Sequence, residues 1–154
     1  MRISLICVGR LGRAPEASLA LDYAARAGAG GRALGLAPVD VVEVEARKPG
    51  KAAEAEAILA RAADARLVAC DERGPARASR DFAAHLAALR DDGVRHLAFV
   101  IGGADGLDPA LLKAAAETLS FGPQTWPHAL ARVMLAEQVY RAVSILAGAP
   151  YHRD

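Results

Sequence analysis

The sequence is short of most features that would assign it quickly to a special class. Only two of its 154 residues are cysteine, Cys7 and Cys70. Each lies inside an apolar run and neither belongs to a C-x-x-C pair. That excludes a disulfide scaffold and reads as core thiols of a reducing cytoplasm. The four histidines, His85, His96, His128 and His152, show no ligand spacing, so no metal site is expected. No apolar stretch approaches the ~20 residues needed to span a bilayer. Residues 1–8 lack the basic start and cleavage site of a secretory signal. The expectation is a cytoplasmic protein with no membrane partner. Charge of one sign is also missing. Lys and Arg number 19 against 18 Asp and Glu, a net +1. This excludes a polybasic RNA or DNA binder held by bulk electrostatics, while leaving room for a local basic patch. Large core residues are scarce too, because 37 residues are alanine. Alanine favours helix but contributes little burial free energy.

What remains is a regular alternation of apolar runs and Ala-rich stretches. The pattern predicts strands at Ile3–Val8, Val39–Val44, Leu67–Cys70 and Leu97–Ile101. Helices are predicted over 15–27, 52–65, 79–90 and 127–147, with glycines 28, 30 and 31 ending the first. A further helix starts after Asp108, a good cap, with Pro109 at its first position. The unbroken run Leu97–Ile101 lacks alternation, as expected of a central parallel strand covered on both faces. The fold class is therefore α/β, a layered domain with a mainly parallel sheet, spanning 1–154 without linker or repeat. The last helix is apolar around most of its circumference, through Leu130, Val133, Met134, Leu135, Val139, Val143, Ile145 and Leu146. Such a helix is buried on nearly every side, and in a chain this small a second subunit is expected to supply part of that cover.

Four segments carry chemistry-bearing residues. Val8-Gly9-Arg10-Leu11-Gly12, with Glu43 or Glu45 as a ribose-binding acid, loosely suits a dinucleotide turn. It lacks the full G-x-G-x-x-G and equally suits a plain strand-to-helix turn. Ile101-Gly102-Gly103-Ala104-Asp105-Gly106 closes a buried strand where open α/β sheets place ligands, and glycine lets a ligand touch backbone. Its spacing alone leaves ligand loop and plain turn open. Leu119–His128 is too rich in Gly, Pro and aromatics for helix, and sets His128 four residues before Arg132 on one helical face. Pro150-Tyr151-His152-Arg153-Asp154 joins a stacking ring, an imidazole and a guanidinium, a set suited to an unpaired nucleotide, although terminal tails commonly fray.

Taken together and in this order, these segments resemble the ribosomal large-subunit RNA pseudouridine N3-methyltransferases, the methyltransferase H family of the SPOUT class. The match is carried by Val68-Ala69-Cys70-Asp71 with Gly74, Ile101–Gly106 with Leu107, Leu119-Ser120-Phe121, and Thr125-Trp126-Pro127-His128. It continues through Arg132-Val133, Glu137–Ala142 and Pro150–Arg153, and Val8–Leu11 agrees as well. The resemblance implies a C-terminal deep trefoil knot (about 67–154), against the rule that chains avoid knots. It also implies S-adenosylmethionine as cofactor, and a homodimer that completes each site. Cofactor contacts carry over to Cys70, Gly102, Phe121, Gly122, Pro123, Gln124, Thr125 and Trp126. His128, Arg132, Tyr151, His152 and Arg153 carry over to the RNA side. Two positions depart from the family pattern: Cys70 stands where leucine is usual, and Pro75 where a lysine follows the glycine. The second removes a lysine-based RNA contact, for which Arg73 or Arg77 are possible substitutes.

The implied reaction is methyl transfer to N3 of a pseudouridine in helix 69 of 23S rRNA within an assembled 70S ribosome. Its main demands are in-line alignment and loss of the weakly acidic N3 proton. His152 is the first candidate base and His128 the second, with Arg132 or Arg153 stabilising the base anion as the alternative and Tyr151 beside them. Two other classes are carried alongside: a non-catalytic nucleotide-binding regulatory module using the Gly9–Gly12 turn, and an inactive ribosome-associated dimer.

Overall fold

The computed structural model describes residues 1–153, and Asp154 lies outside them. The chain alternates strand and helix: β1 (Arg2–Val8), α1 (Pro15–Gly31), β2 (Val39–Val44), α2 (Lys51–Arg61), β3 (Arg66–Cys70), α3 (Ser79–Asp91), β4 (His96–Ile101), α4 (Pro109–Ala114), β5 (Glu117–Leu119) and α5 (His128–Leu146). The five strands form one sheet in the order β2-β1-β4-β3-β5. Every pairing is parallel, with Leu5 opposite Val41 and Phe99, and Val68 opposite Phe99.

Side chains alternate across this sheet, so each strand feeds two cores. Ile3, Leu5 and Cys7 of β1 and Leu97, Phe99 and Ile101 of β4 pack with α1, α3 and α5. Ile6, Val8, Ala98 and Val100 pack with α2 and α4 on the other face. The continuous apolar run of β4 is explained by its central place, with helices over both faces. α4 begins as its sequence signals, with the Asp108 carboxylate accepting from the Ala110 N–H at 2.7 Å.

Three elements differ from the sequence reading, the simplest being α2, expected over 52–65 but ending at Arg61 with Ala62 as its cap. Glycines 28, 30 and 31 do not end α1, which runs through them to Gly31. They are sites of close approach. A Cβ on Gly30 would lie 3.1 Å from Val143 of α5, and one on Gly31 only 2.2 Å from the Leu36 carbonyl oxygen. β5 is an unforeseen strand. Three residues are too few for a periodic signal, and it exists because it pairs with β3 (Ala69 opposite Thr118).

Because all strands run the same way, every loop that follows a strand emerges at one edge of the sheet. The loops after β3 and β5 lead to helices on one face, and the loop after β4 leads to α4 on the other. The crevice between them is where open α/β sheets hold ligands.

Candidate functional site

A cavity of about 390 Å³ occupies that crevice, within the ordinary range for a small-molecule site. Its walls come from four stretches and from Lys51 at the start of α2. Cys70 to Arg73 extend β3, Ile101 to Leu107 extend β4, Leu119 to Trp126 follow β5, and His128 with Ala131 open α5. The β4 loop doubles back tightly. The Gly106 N–H donates to the Gly103 carbonyl at 3.0 Å, and a Cβ on Gly102 would sit 2.8 Å from the Gly106 carbonyl carbon. Only glycine fits at 102, and Gly106 adopts φ +80°, a conformation side chains disfavour. Backbone is thereby left bare toward the cavity.

The opposite wall is stitched to the β3 loop. The Asp71 N–H donates to the Leu119 carbonyl at 3.0 Å and the Ser120 N–H to the Pro75 carbonyl at 3.0 Å. The Ser120 hydroxyl reaches the Glu72 and Gly122 carbonyls at 3.2 and 3.0 Å. Thr125 Oγ1 donates to Glu72 Oε2 at 3.4 Å. Residues 119–125 thus keep a fixed shape without regular structure. Hydrogen bonds from Arg73 hold the Asp71 carboxyl below the usual carboxylate range, and Lys51 adds to this. Burial pushes the Cys70 thiol well up, with the neighbouring Cys7 adding to it, so Cys70 offers a neutral apolar wall.

Of the residues expected to hold a cofactor, Cys70, Gly102, Phe121, Gly122, Gln124, Thr125 and Trp126 meet on this one cavity; Pro123 lies in the same stretch without lining it. His128 also faces the cavity. Asp105, the acid of the β4 loop singled out in the sequence, is a further wall residue, and Lys51 and Glu72 are wall residues that sequence reasoning missed. Lys51 arrives only through the β2-to-α2 crossing, and no local motif marks it.

Of the residues expected on the RNA side only His128 reaches the cavity wall; the others divide into two groups away from it. Arg132 is 1% exposed. Its Nη1 donates to Glu43 Oε1 at 2.6 Å, and its Nη2 donates to the Val8 and Gly9 carbonyls at 3.3 and 3.1 Å. The same Glu43 oxygen accepts from the Leu11 N–H at 3.0 Å. Glu43 is therefore engaged by protein groups rather than open to a ribose, and Gly9 and Gly12 have the positive φ of a simple strand-to-helix turn. Tyr151 and His152 lie on the later turns of α5. The Tyr151 hydroxyl donates to Glu137 Oε1 at 3.0 Å, and its ring packs 4.6 Å from Tyr140 and 4.8 Å from the Arg141 guanidinium. Arg141 Nη1 reaches His152 Nδ1 at 3.2 Å. His128 and Arg141 are thirteen residues apart on α5, about 20 Å at helical rise. Arg153 is exposed beside them. Arg73 and Arg77, the suggested substitutes for the missing lysine, pair with Asp71 at 3.0 Å and Glu117 at 3.5 Å.

A larger cavity, about 470 Å³, lies between α1, the start of α3 and α5, lined by Leu19, Tyr23, Phe82, Val133 and Met134 among others. Its polar lining is largely paired within itself, Ser79 Oγ with Gln138 Oε1 and Gln138 Nε2 with Glu137 Oε2, both at 2.8 Å, so the smaller cavity, open at the strand-end crevice, is the better ligand site despite its size.

A parallel sheet whose strand-end loops enclose such a cavity is the frame of an α/β ligand-binding enzyme, and the chain belongs to the SPOUT methyltransferases: the family model described as "Predicted SPOUT methyltransferase" matches residues 1–152. Within it, the chain is 69% identical over its whole length, and that of its relative, to "Ribosomal RNA large subunit methyltransferase H" of Phenylobacterium zucineum (strain HLK1). It is 68% identical, again over both full lengths, to the protein of the same name from Caulobacter sp. (strain K31). Among solved structures, "The structure of a probable methylase family protein from Haemophilus influenzae Rd KW20" shares the fold, with TM-score 0.57 at 17% identity, over 99% of this chain and 70% of that one.

Proposed function

We propose that the protein transfers a methyl group from S-adenosylmethionine to N3 of a pseudouridine in helix 69 of 23S rRNA, acting in the cytoplasm on the assembled ribosome. The observation that carries this reading is the meeting of seven expected cofactor residues on one strand-end cavity, in a chain of the SPOUT methyltransferase family. The cavity fits the cofactor by size, by its bare glycine backbone, and by the Leu107, Leu119 and Phe121 side chains that give it an apolar floor. When bound, S-adenosylmethionine supplies an already activated methyl group. The protein's part is to hold, align and exclude. Gly102, Gly103 and the 121–126 stretch hold the cofactor; Trp126 and Phe121 exclude water.

Tyr151, His152 and Arg153 recognise the target nucleotide. Arginine can only donate, so in the Arg141 contact His152 Nδ1 accepts. With Nδ1 so engaged, His128, at the cavity wall, becomes the better placed base. Arg132, buried and clamped, positions the start of α5 instead of touching RNA.

The roughly 20 Å between His128 and the tail calls for two chains. We assign the functional unit to a homodimer in which the tail of one protomer serves the cavity of its partner. Leu19 and Leu130 are 45% and 41% exposed, and Val133 and Met134 are only partly covered, which supports α1 and α5 as the contact face. The trefoil knot belongs to the same proposal, with the α5 segment threaded past the stitched β3 loop.

The test is transfer of labelled methyl from S-adenosylmethionine to 70S ribosomes and to protein-free 23S rRNA, with the product mapped by mass spectrometry. The reading expects transfer to one helix 69 nucleotide, and much faster transfer to ribosomes. Equal rates on both substrates would refute docking on the ribosome, and no transfer to either would refute the activity. Removal of residues 151–154 should abolish transfer while leaving affinity for S-adenosylhomocysteine within about twofold, measured by calorimetry.

A further inference from the structure

The chain is nearly neutral, yet the fold distributes its charge unevenly along the loop edge of the sheet. The turn after β1 carries Arg10 and Arg13. The turn after β2 carries Arg47 and Lys48 and delivers Lys51 to the first position of α2. All five are exposed. The one acid interleaved with them, Glu45, is paired to Arg10 at 3.1 Å, which also ties the two turns together. Glu43 binds the β1 turn from beneath through the Leu11 N–H. Arg13, Arg47, Lys48 and Lys51 form no ion pair among the described residues. The cavity wall itself carries Asp71, Glu72 and Asp105 on the β3 and β4 loops, with Arg73 paired to Asp71 at 3.0 Å. Since the chain as a whole carries only +1, the remainder outside this rim is net negative.

We infer that the β1 and β2 turns form a cationic rim that binds the phosphate backbone of the substrate RNA and leads its target nucleotide to the cavity. This rests on the proposed RNA methyl transfer. Lys51 belongs both to the rim and to the cavity wall, so a strand held on the rim passes directly over the site. Exposed Arg and Lys on turns suit phosphate oxygens, and the rest of the chain, net negative, offers the same backbone no comparable overall attraction. A positive patch on a neutral protein gives attraction at one place only, which favours a single docking pose over general adhesion to RNA.

The test compares two triple variants that lose the same charge. R13Q/R47Q/K48Q removes three of the five rim cations and spares Lys51 and the Glu45-paired Arg10. R61Q/R95Q/K113Q neutralises exposed cations at the opposite edge of the sheet. Affinity for 70S ribosomes is measured between 50 and 200 mM KCl (roughly the span over which phosphate contacts are resolved), alongside methyl transfer and S-adenosylhomocysteine binding. The rim variant should raise KM for ribosomes about tenfold and flatten the log affinity against log salt slope by about 3. Its cofactor affinity and its kcat at saturating ribosomes should be unchanged, and the opposite-edge variant should match the unmodified protein throughout. Equal salt slopes for the two variants, or an unchanged slope for the rim variant, would overturn the inference. Absent methyl transfer by the unmodified protein, with the rim-dependent salt slope intact, would count against the proposed activity alone.

Discussion

Arg132 and His96 show how single side chains commit the protein to its shape. The Arg132 guanidinium is buried at the end of β1, where Glu43 and two carbonyls satisfy most of its donors. Removing one partner of such a pair leaves an uncompensated charge, which is costlier than replacing both. Glu43→Ala should therefore destabilise the protein by roughly 3 kcal/mol in urea unfolding. The double variant Glu43→Ala/Arg132→Met should recover part of that loss. His96 sits against Ser4 Oγ at 2.9 Å, and burial, with help from Arg2, lowers its pKa from the ordinary 6.5. Below that value the unfolded chain binds a proton that the folded chain resists. The His96 contribution is thus present above about pH 6.5 and is lost as the pH falls from there through the folded value. Unfolding free energy should decline over that window, and His96→Gln should flatten the decline.

Secondary elements were legible where they are long and where burial imposes a period. β1, β2 and β4 and the start of α4 stand within a residue or so of their sequence signals, because apolar runs and the Asp108-Pro109 pair are local causes. The glycines of α1 read as a stop because glycine is a helix breaker in isolation, while here it permits contact with α5 and with the Leu36 backbone. Gly31→Ala tests that account. Its Cβ has no room beside the Leu36 carbonyl, so the change should cost about 1–3 kcal/mol in thermal or urea unfolding, although alanine is the better helix former. β5 and the wall residue Lys51 were illegible for a different reason: both exist through pairings distant in sequence. The 121–126 stretch lies between these cases. Its composition marked it as non-helical, and the family resemblance gave it a role, but its shape depends on Glu72 and Pro75 some fifty residues earlier.

At the scale of the whole molecule, composition and architecture answer each other. A small alanine-rich chain has few large residues for a core, and the partly exposed Leu19, Leu130, Val133 and Met134 surround an apolar groove that a second copy would cover. Near-neutral charge is compatible with an RNA substrate once the cations gather on one rim beside the cavity. The account's central claim is that cavity and tail come from different protomers, and mixing two inactive variants tests it directly. A Gly102→Val protein loses the cavity, and a protein truncated after Pro150 loses the tail. Random exchange between them makes half of the dimers mixed, each with one intact site, so methyl transfer to 70S ribosomes should return to about a quarter of the unmodified rate. If the mixture stays as inactive as its components while sedimentation shows the mixed dimer has formed, the shared site is wrong.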